Sequence, residues 1–343
     1  MKTRSLLSRS LLFFSAVLLA CSARAADWVV YEGKQGPGLG KHIVLISGDE
    51  EYRSEEALPM LGKILAVRHG FKCTVLFPID RNGSIDPNNQ TNIPGIESLA
   101  TADMAIILLR FRELPDEKMK YFVDFMNAGK PLLALRTSTH AFQYERNKES
   151  KYARFDWRSR EWKGGFGQHV LGDTWISHHG DHGKESARGI INGMFETHPI
   201  LRGVKDIWGP TDVYGIRNLP ADASVLVYGL TLSGMNPGDA PNYNKSAMPM
   251  IWTRQHKNEA GTTNTIICST IGSSVDFQSE DLRRLVVNSC LWATGLEDRI
   301  PKRGRNDKTD PKLNVDYVGE YTPTFFGFNK YKQGVKPGEH ELK

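Results

Sequence analysis

Three stretches of this 343-residue chain concentrate side chains that can move protons or hold ions. "SGDEEYR" (47–53) sets Asp49, Glu50 and Glu51 beside Tyr52 and Arg53. "ALRTSTHAF" (134–142) carries Arg136, Thr137, Ser138 and His140. "WISHHGDHGKES" (175–186) carries His178, His179 and His182 around Asp181. Carboxylates and imidazoles exchange protons near neutral pH, given suitable surroundings. Arginine stays protonated and offers fixed donors to carboxylate, phosphate or sugar oxygens.

The third stretch admits several chemistries. Six of the ten histidines fall between 140 and 198. His178, His179 and His182 could hold a divalent transition metal, with Asp181 as an oxygen ligand. They equally suit acid–base work or a hydrogen-bonded loop. His178 and His182 are four apart, but Gly180 and Gly183 argue against the helix that would align them. "EWKGGFGQHVLGD" (161–173) matches neither glycine-rich phosphate motif. Its Trp162 and Phe166 are candidates to stack on a sugar face, with core packing as the alternative.

These residues need a frame that gathers them. Apolar runs at 41–47, 71–77, 104–109 and 131–135 read as strands. Helical patterns lie between them at 54–70, where Ser54 is the expected N-cap, and at 114–130. Further strands are expected at 223–229, 248–254 and 263–270, with a closing helix at 279–295. The alternation predicts an α/β fold with a doubly wound, mostly parallel sheet. Such sheets bind ligands beyond the carboxyl ends of their strands. That rule gathers Asp49 to Arg53, Arg110 and Arg112, Arg136 to His140, and the polar run 269–276. The segment 141–222 has no clear period and reads as long loops over one end of the sheet.

Composition narrows the setting. Lys2, Arg4 and Arg9 precede an apolar stretch at 11–20, and "SARA" ends at Ala25. Residues 1–25 are therefore read as an export signal, with a lipid anchor at Cys21 as the alternative. Ten apolar residues are too few to span a bilayer as a helix. Without residues 1–25, 40 basic residues face 39 acidic ones, so no charge excess points to nucleic acid. Cys73, Cys268 and Cys290 sit in apolar runs and read as buried thiols, with one disulfide left open. Residues 26–40 read as a linker, 41–300 as the main domain and 301–343 as an extension. The extension's aromatics, Tyr321, Phe325, Phe326 and Phe328, are expected to dock on the domain. Oligomeric state is not legible.

Taken together, "KHIVLISGDEEYRSEE", "GKPLLALRTSTHAF", "WKGGFG", "THPILRGV" and "LVVNSCLWATGLEDRIP" resemble the ThuA-like (trehalose-utilisation) family over about 41–300. The extension resembles that of an exported bacterial branch. The resemblance implies a class I glutamine-amidotransferase-like, flavodoxin-like fold. It also implies a link to carbohydrate metabolism, particularly disaccharides and their 3-oxo derivatives. Glutamine amidotransferases carry a catalytic cysteine on the tight elbow after the equivalent strand. ThuA-like proteins commonly have "GIHAASDAF" there. This chain has Arg136 at the elbow and His140 where an acidic residue is frequent. No cysteine lies in the elbow, which excludes thioester chemistry at that position.

The expectation is an exported protein acting on a small carbohydrate. Arg136 and Arg110 would stabilise an enolate oxygen, and His140, Glu50 or Glu51 would move the proton. Asp49, Tyr52, Arg53, Arg112, Thr137, Ser138, Trp162 and Phe166 would bind substrate. A non-catalytic carbohydrate-binding protein, a metal-dependent hydrolase and an interaction module built on the aromatic tail are the rivals.

Overall fold

The computed structural model describes residues 26–302 and 312–342. The expected export signal 1–25, with Cys21, and part of the 301–343 extension lie outside the described residues. Five strands come from the first part of the chain: β1 (Trp28–Tyr31), β2 (His42–Gly48), β3 (Lys72–Leu76), β4 (Met104–Leu109) and β5 (Leu132–Leu135). Five follow: β6 (Ala187–Ile191), β7 (Ile207–Gly209), β8 (Ser224–Thr231), β9 (Met248–Lys257) and β10 (Thr263–Ser269). They form one sheet in the order β1-β3-β2-β4-β5-β10-β9-β8-β6-β7. Its core, β3-β2-β4-β5-β10, is parallel. The remaining pairings are antiparallel and flank that core.

The parallel strands read as unbroken apolar runs because both of their faces are covered. Ile43, Leu45, Ile106, Leu133 and Ile267 point to one side. There they pack on α1 (Ser54–His69) and α3 (Glu280–Ala293). Val44, Ile46, Ala105, Ile107 and Ile266 point to the other, against α2 (Asp116–Asn127). Successive residues alternating between faces is the period of a strand.

Several expectations change. Residues 28–31, read as linker, are a strand whose register pairs Trp28 with Leu76 and Tyr31 with Cys73. Ser54 is not the N-cap of α1. Arg53 occupies that position in the left-handed region, and Ser54 Oγ accepts from the Gly48 and Asp49 amides at 3.1 and 3.0 Å. The segment 141–222 contributes β6 and β7. Those strands are short and partly exposed, so no apolar period announced them. Cys73, Cys268 and Cys290 are buried and unpaired. No described helix is long and apolar enough to cross a membrane.

Candidate functional site

The turns after β2, β4 and β5 meet at one edge of the sheet. Buried bonds stitch them together. Asp49 Oδ1 accepts from the Glu51 and Tyr52 amides at 2.7 and 2.5 Å, and its other oxygen accepts from Thr137 Oγ1. Ser138 Oγ donates to the Ile107 carbonyl at 3.1 Å and accepts from the Leu109 amide at 3.1 Å. A side chain at Gly48 would meet Leu109 at 2.8 Å and the Arg112 stem at 2.9 Å, so glycine there lets Arg112 lie across the end of β2.

Arg53, Phe111 and Arg136, each in the turn after one of these strands, have φ of 58°, 55° and 45°. Among the described residues only Asn329 joins them as a non-glycine with positive φ. Each such residue costs about 1–3 kcal/mol, a strain that concentrates at functional sites. The tight elbow after β5 is therefore present, with an arginine on it.

Arg136 is fully buried. Its guanidinium lies 4.5 Å from the Tyr52 ring centre and 4.0 Å from that of Tyr214. It donates to the Asp212 and Thr270 carbonyls at 2.6 and 2.8 Å, and to Tyr52 Oη at 3.0 Å. It also donates to Asp212 Oδ1 at 2.9 Å. Asp212 then reaches outward. Its Oδ2 accepts from His178 Nδ1 at 2.7 Å and its Oδ1 from His182 Nδ1 at 3.0 Å. His182 Nε2 lies 3.2 Å from Glu51 Oε1. Burial opposes ionisation of Asp212. Arg136 and the two imidazoles outweigh that and hold its carboxyl well below the usual range. Hydrogen bonds to Asp212 and Glu51 push His182 up to about 9, so it is an imidazolium at neutral pH.

A carboxylate accepts only, so the bond to Asp212 places the proton of a neutral His178 ring on Nδ1 and leaves the Nε2 lone pair free. An isolated backbone bridge between His178 and Tyr214 holds the loop in place. The side chain is 36% exposed. Its ring lies 5.6 Å from Trp175, which lies 5.9 Å from Trp157, which lies 5.9 Å from Phe111. Beyond Trp157 and Trp175 a cleft of about 910 Å³ opens, bordered also by Arg158, Arg160, Lys163, Gln168 and Asn218. Beside Phe111, Arg110 donates Nη1 to Glu50 Oε1 at 2.6 Å. Burial, then Asp49, raises the Glu50 carboxyl, against the pull of Arg112 and Arg110.

Other expected site residues have different surroundings. Arg136, expected to touch substrate, lies behind Asp212 and the two tyrosines, with no exposed surface. Arg112 is equally buried and spends its donors on the Arg110, Pro87 and Asn89 carbonyls and on Glu50. Arg53 is buried against the Glu50 carbonyl and Glu55. His140, expected to move the proton, is 4% exposed. Burial first, then Arg110, Arg136 and His178, hold it well below the ordinary histidine value, so it is a neutral ring packed under Phe111 and Trp175. Phe166 is a core residue against Phe122 and Phe142 and has no face to offer a sugar. Trp162 stacks on His169 at 4.5 Å, beside a separate cavity of about 250 Å³.

The histidine triplet is also revised. His179 turns away and bonds the Ser246 carbonyl at 2.8 Å, and Asp181 pairs with Lys245 at 2.9 Å. The ligand atoms that do converge, within 4.8 Å, belong to His178, His182 and Asp212. These groups are engaged with one another. Both Asp212 oxygens already accept hydrogen bonds, both His182 nitrogens are engaged, and the Arg136 cation lies against the same carboxylate. Asp212, Tyr214, Phe111, Trp157 and Trp175 were not read from sequence as site residues. "TDVYG" (211–215) sits in the aperiodic segment with no motif around it.

No protein-family profile matches the chain, and no curated protein matches it. Solved structures do. A protein described as a "Putative thua-like protein" from Bacteroides uniformis is 16% identical, with 76% of this chain and 93% of that one covered and a TM-score of 0.47. A protein of the same description from Parabacteroides merdae is 12% identical, with 80% and 97% covered and a TM-score of 0.48. An exo-beta-1,4-mannosidase from an Opitutaceae bacterium is 8% identical, with 74% and 35% covered and a TM-score of 0.34. Likeness this distant leaves activity to the site's own chemistry. The first two neighbours carry the family name that the sequence motifs suggest.

Proposed function

We propose that this chain is an exported, ThuA-like, sugar-active enzyme that removes a proton beside the carbonyl of an oxo-sugar such as a 3-oxo-glycoside. The observation that carries the reading is the Asp212–His178 pair, which orients the imidazole of a side chain that is 36% exposed beyond the strand ends. His178 Nε2 takes the carbon-bound proton, and the electron pair moves into the carbonyl. Arg110, bound through Nη1 to Glu50, supplies positive charge for the enolate oxygen. Passing the proton to the departing glycosidic oxygen as the C–O bond breaks completes an elimination. In an isomerisation the adjacent hydroxyl gives its proton to the enolate oxygen, and the proton held by His178 goes to the former carbonyl carbon.

Two further features support a neutral carbohydrate. The rings of Trp157, Trp175 and Phe111 offer apolar faces for the C–H faces of a sugar beside the base. Glu50, Glu51 and Asp212 are paired with Arg110, Arg112, Arg136 and His182, so these charges are engaged within the protein. The cleft beyond Trp157 has room for a second ring.

The test is incubation of the exported form with disaccharides and their 3-oxo forms, with products followed by mass spectrometry. Turnover is expected, and His178→Gln is expected to lower kcat by about 10²–10⁴-fold with little change in sugar binding. Binding without turnover of any oxo-sugar would instead establish a non-catalytic carbohydrate-binding protein.

A further inference from the structure

The planar groups from Phe111 through Trp157 and Trp175 to His178 and His182 form an arc, and its open side is spanned by the C-terminal extension. The Phe326 ring lies 5.2 Å from His182 and 5.5 Å from Tyr52. Two residues on, the Phe328 ring lies 4.8 Å from the Arg110 guanidinium, which is itself 4.4 Å from the Phe111 ring. The arc therefore returns to its starting residue through the tail.

This crossing is built and anchored. Gly327 donates its amide to the Glu51 carbonyl at 2.8 Å. Upstream, the Thr324 amide bonds Glu56 Oε2 at 2.7 Å, and the Thr324 carbonyl accepts from Ser274 Oγ at 3.1 Å. Downstream, Tyr331 Oη bonds Asp86 at 3.1 Å, and the Val335 carbonyl accepts from the Ile85 amide at 2.8 Å. Asn329, just beyond, has a φ of 57°. A tail that served only to cover the domain would turn its rings inward. Phe326 does so at 3% exposure, but Phe325 and Phe328 remain 45% and 53% exposed on a backbone fixed on both sides.

We infer that residues 324–328 are a substrate-contacting wall of the site, with Phe328 and Phe325 presenting aromatic faces to an uncharged sugar ring held opposite Trp157 and Trp175. The inference rests on the sugar-active reading and extends it. The occupant is assigned as a neutral saccharide because Glu50, Glu51 and Asp212 are engaged by Arg110, Arg136 and His182 and the upper surface is aromatic.

Isothermal titration calorimetry tests it, using the exported form and the variants Phe328→Ala and Phe325→Ala. The probes are sucrose, trehalose, maltose, their 3-oxo forms and a glucuronate-bearing disaccharide. Both side chains are exposed, so thermal melting should stay close to that of the parent protein. The expected result is a loss of about tenfold or more in affinity for a neutral or oxo-disaccharide in the Phe328→Ala protein. Unchanged affinity in both variants, with a parent protein that binds, overturns the wall and leaves the sugar-active reading standing. Tighter binding of the glucuronate-bearing sugar overturns the assignment of a neutral ligand. A parent protein that binds none of the sugars overturns both the wall and the reading beneath it.

Discussion

Arg136 and Asp212 are joined at 2.9 Å with no exposed side-chain surface on either, and the same carboxylate holds His178 and His182 on its outer side. A buried cation thus fixes the position of a surface dyad. The elbow after β5 thus carries Arg136, which holds Asp212 and, through it, the His178 and His182 rings.

Arg136→Met should therefore act through stability. It removes the buried cation that pairs with the Asp212 carboxylate and donates to the Tyr52 hydroxyl, leaving Asp212 to its two histidines. Breaking a buried pair from one side costs about 3–5 kcal/mol. Urea unfolding should report a loss of that size, and a loss under about 1 kcal/mol would contradict the anchoring role.

His178 and Asp212 should behave as one unit in catalysis. Asp212→Asn frees the imidazole to take the wrong tautomer, and His178→Gln removes the base. Each is expected to lower kcat on an oxo-glycoside by about 10²–10⁴-fold. The double variant should be little worse than either single one. Multiplying losses would show that the two act independently.

His182 makes stability depend on pH in a defined direction. Its folded value, about 9, lies above the ordinary 6.5 because Asp212 and Glu51 favour the charged ring. The contribution is complete below pH 6.5 and disappears as the pH rises through 9. The difference in melting temperature between the protein and His182→Gln should be largest near about pH 6 and smallest near about pH 10. A difference that widens with pH would refute the assignment.

Chelation should leave the protein unchanged. Arg136 and the two imidazoles already satisfy the Asp212 oxygens. Treatment with EDTA is expected to alter neither melting temperature nor turnover. Stoichiometric zinc or manganese in the purified protein, with activity lost on its removal, would restore the metal-dependent hydrolase reading.

The parallel core was legible because its strands are unbroken apolar runs alternating with amphipathic helices. β4 was expected at 104–109 and spans Met104–Leu109. The edge of the sheet that gathers charged residues was legible for the same reason, since strand ends follow from strand positions. Sequence alone also ruled out an elbow thioester, because residue 136 is an arginine. Which side chains meet a ligand was decided by packing. Arg136, Arg112, His140 and Phe166 had suitable chemistry for binding or proton transfer, but they lie beneath other residues, and burial is a property of the assembled layers. Asp212 had no local signal, and Phe328 was legible only as one of several tail aromatics expected to dock on the domain. Asp212 reaches Arg136 across 76 positions of chain, and Phe328 reaches the site only because the extension crosses the edge of the sheet. A local sequence pattern encodes the period and termini of an element, whereas the meeting of distant loops is set by which surfaces the whole fold brings into contact.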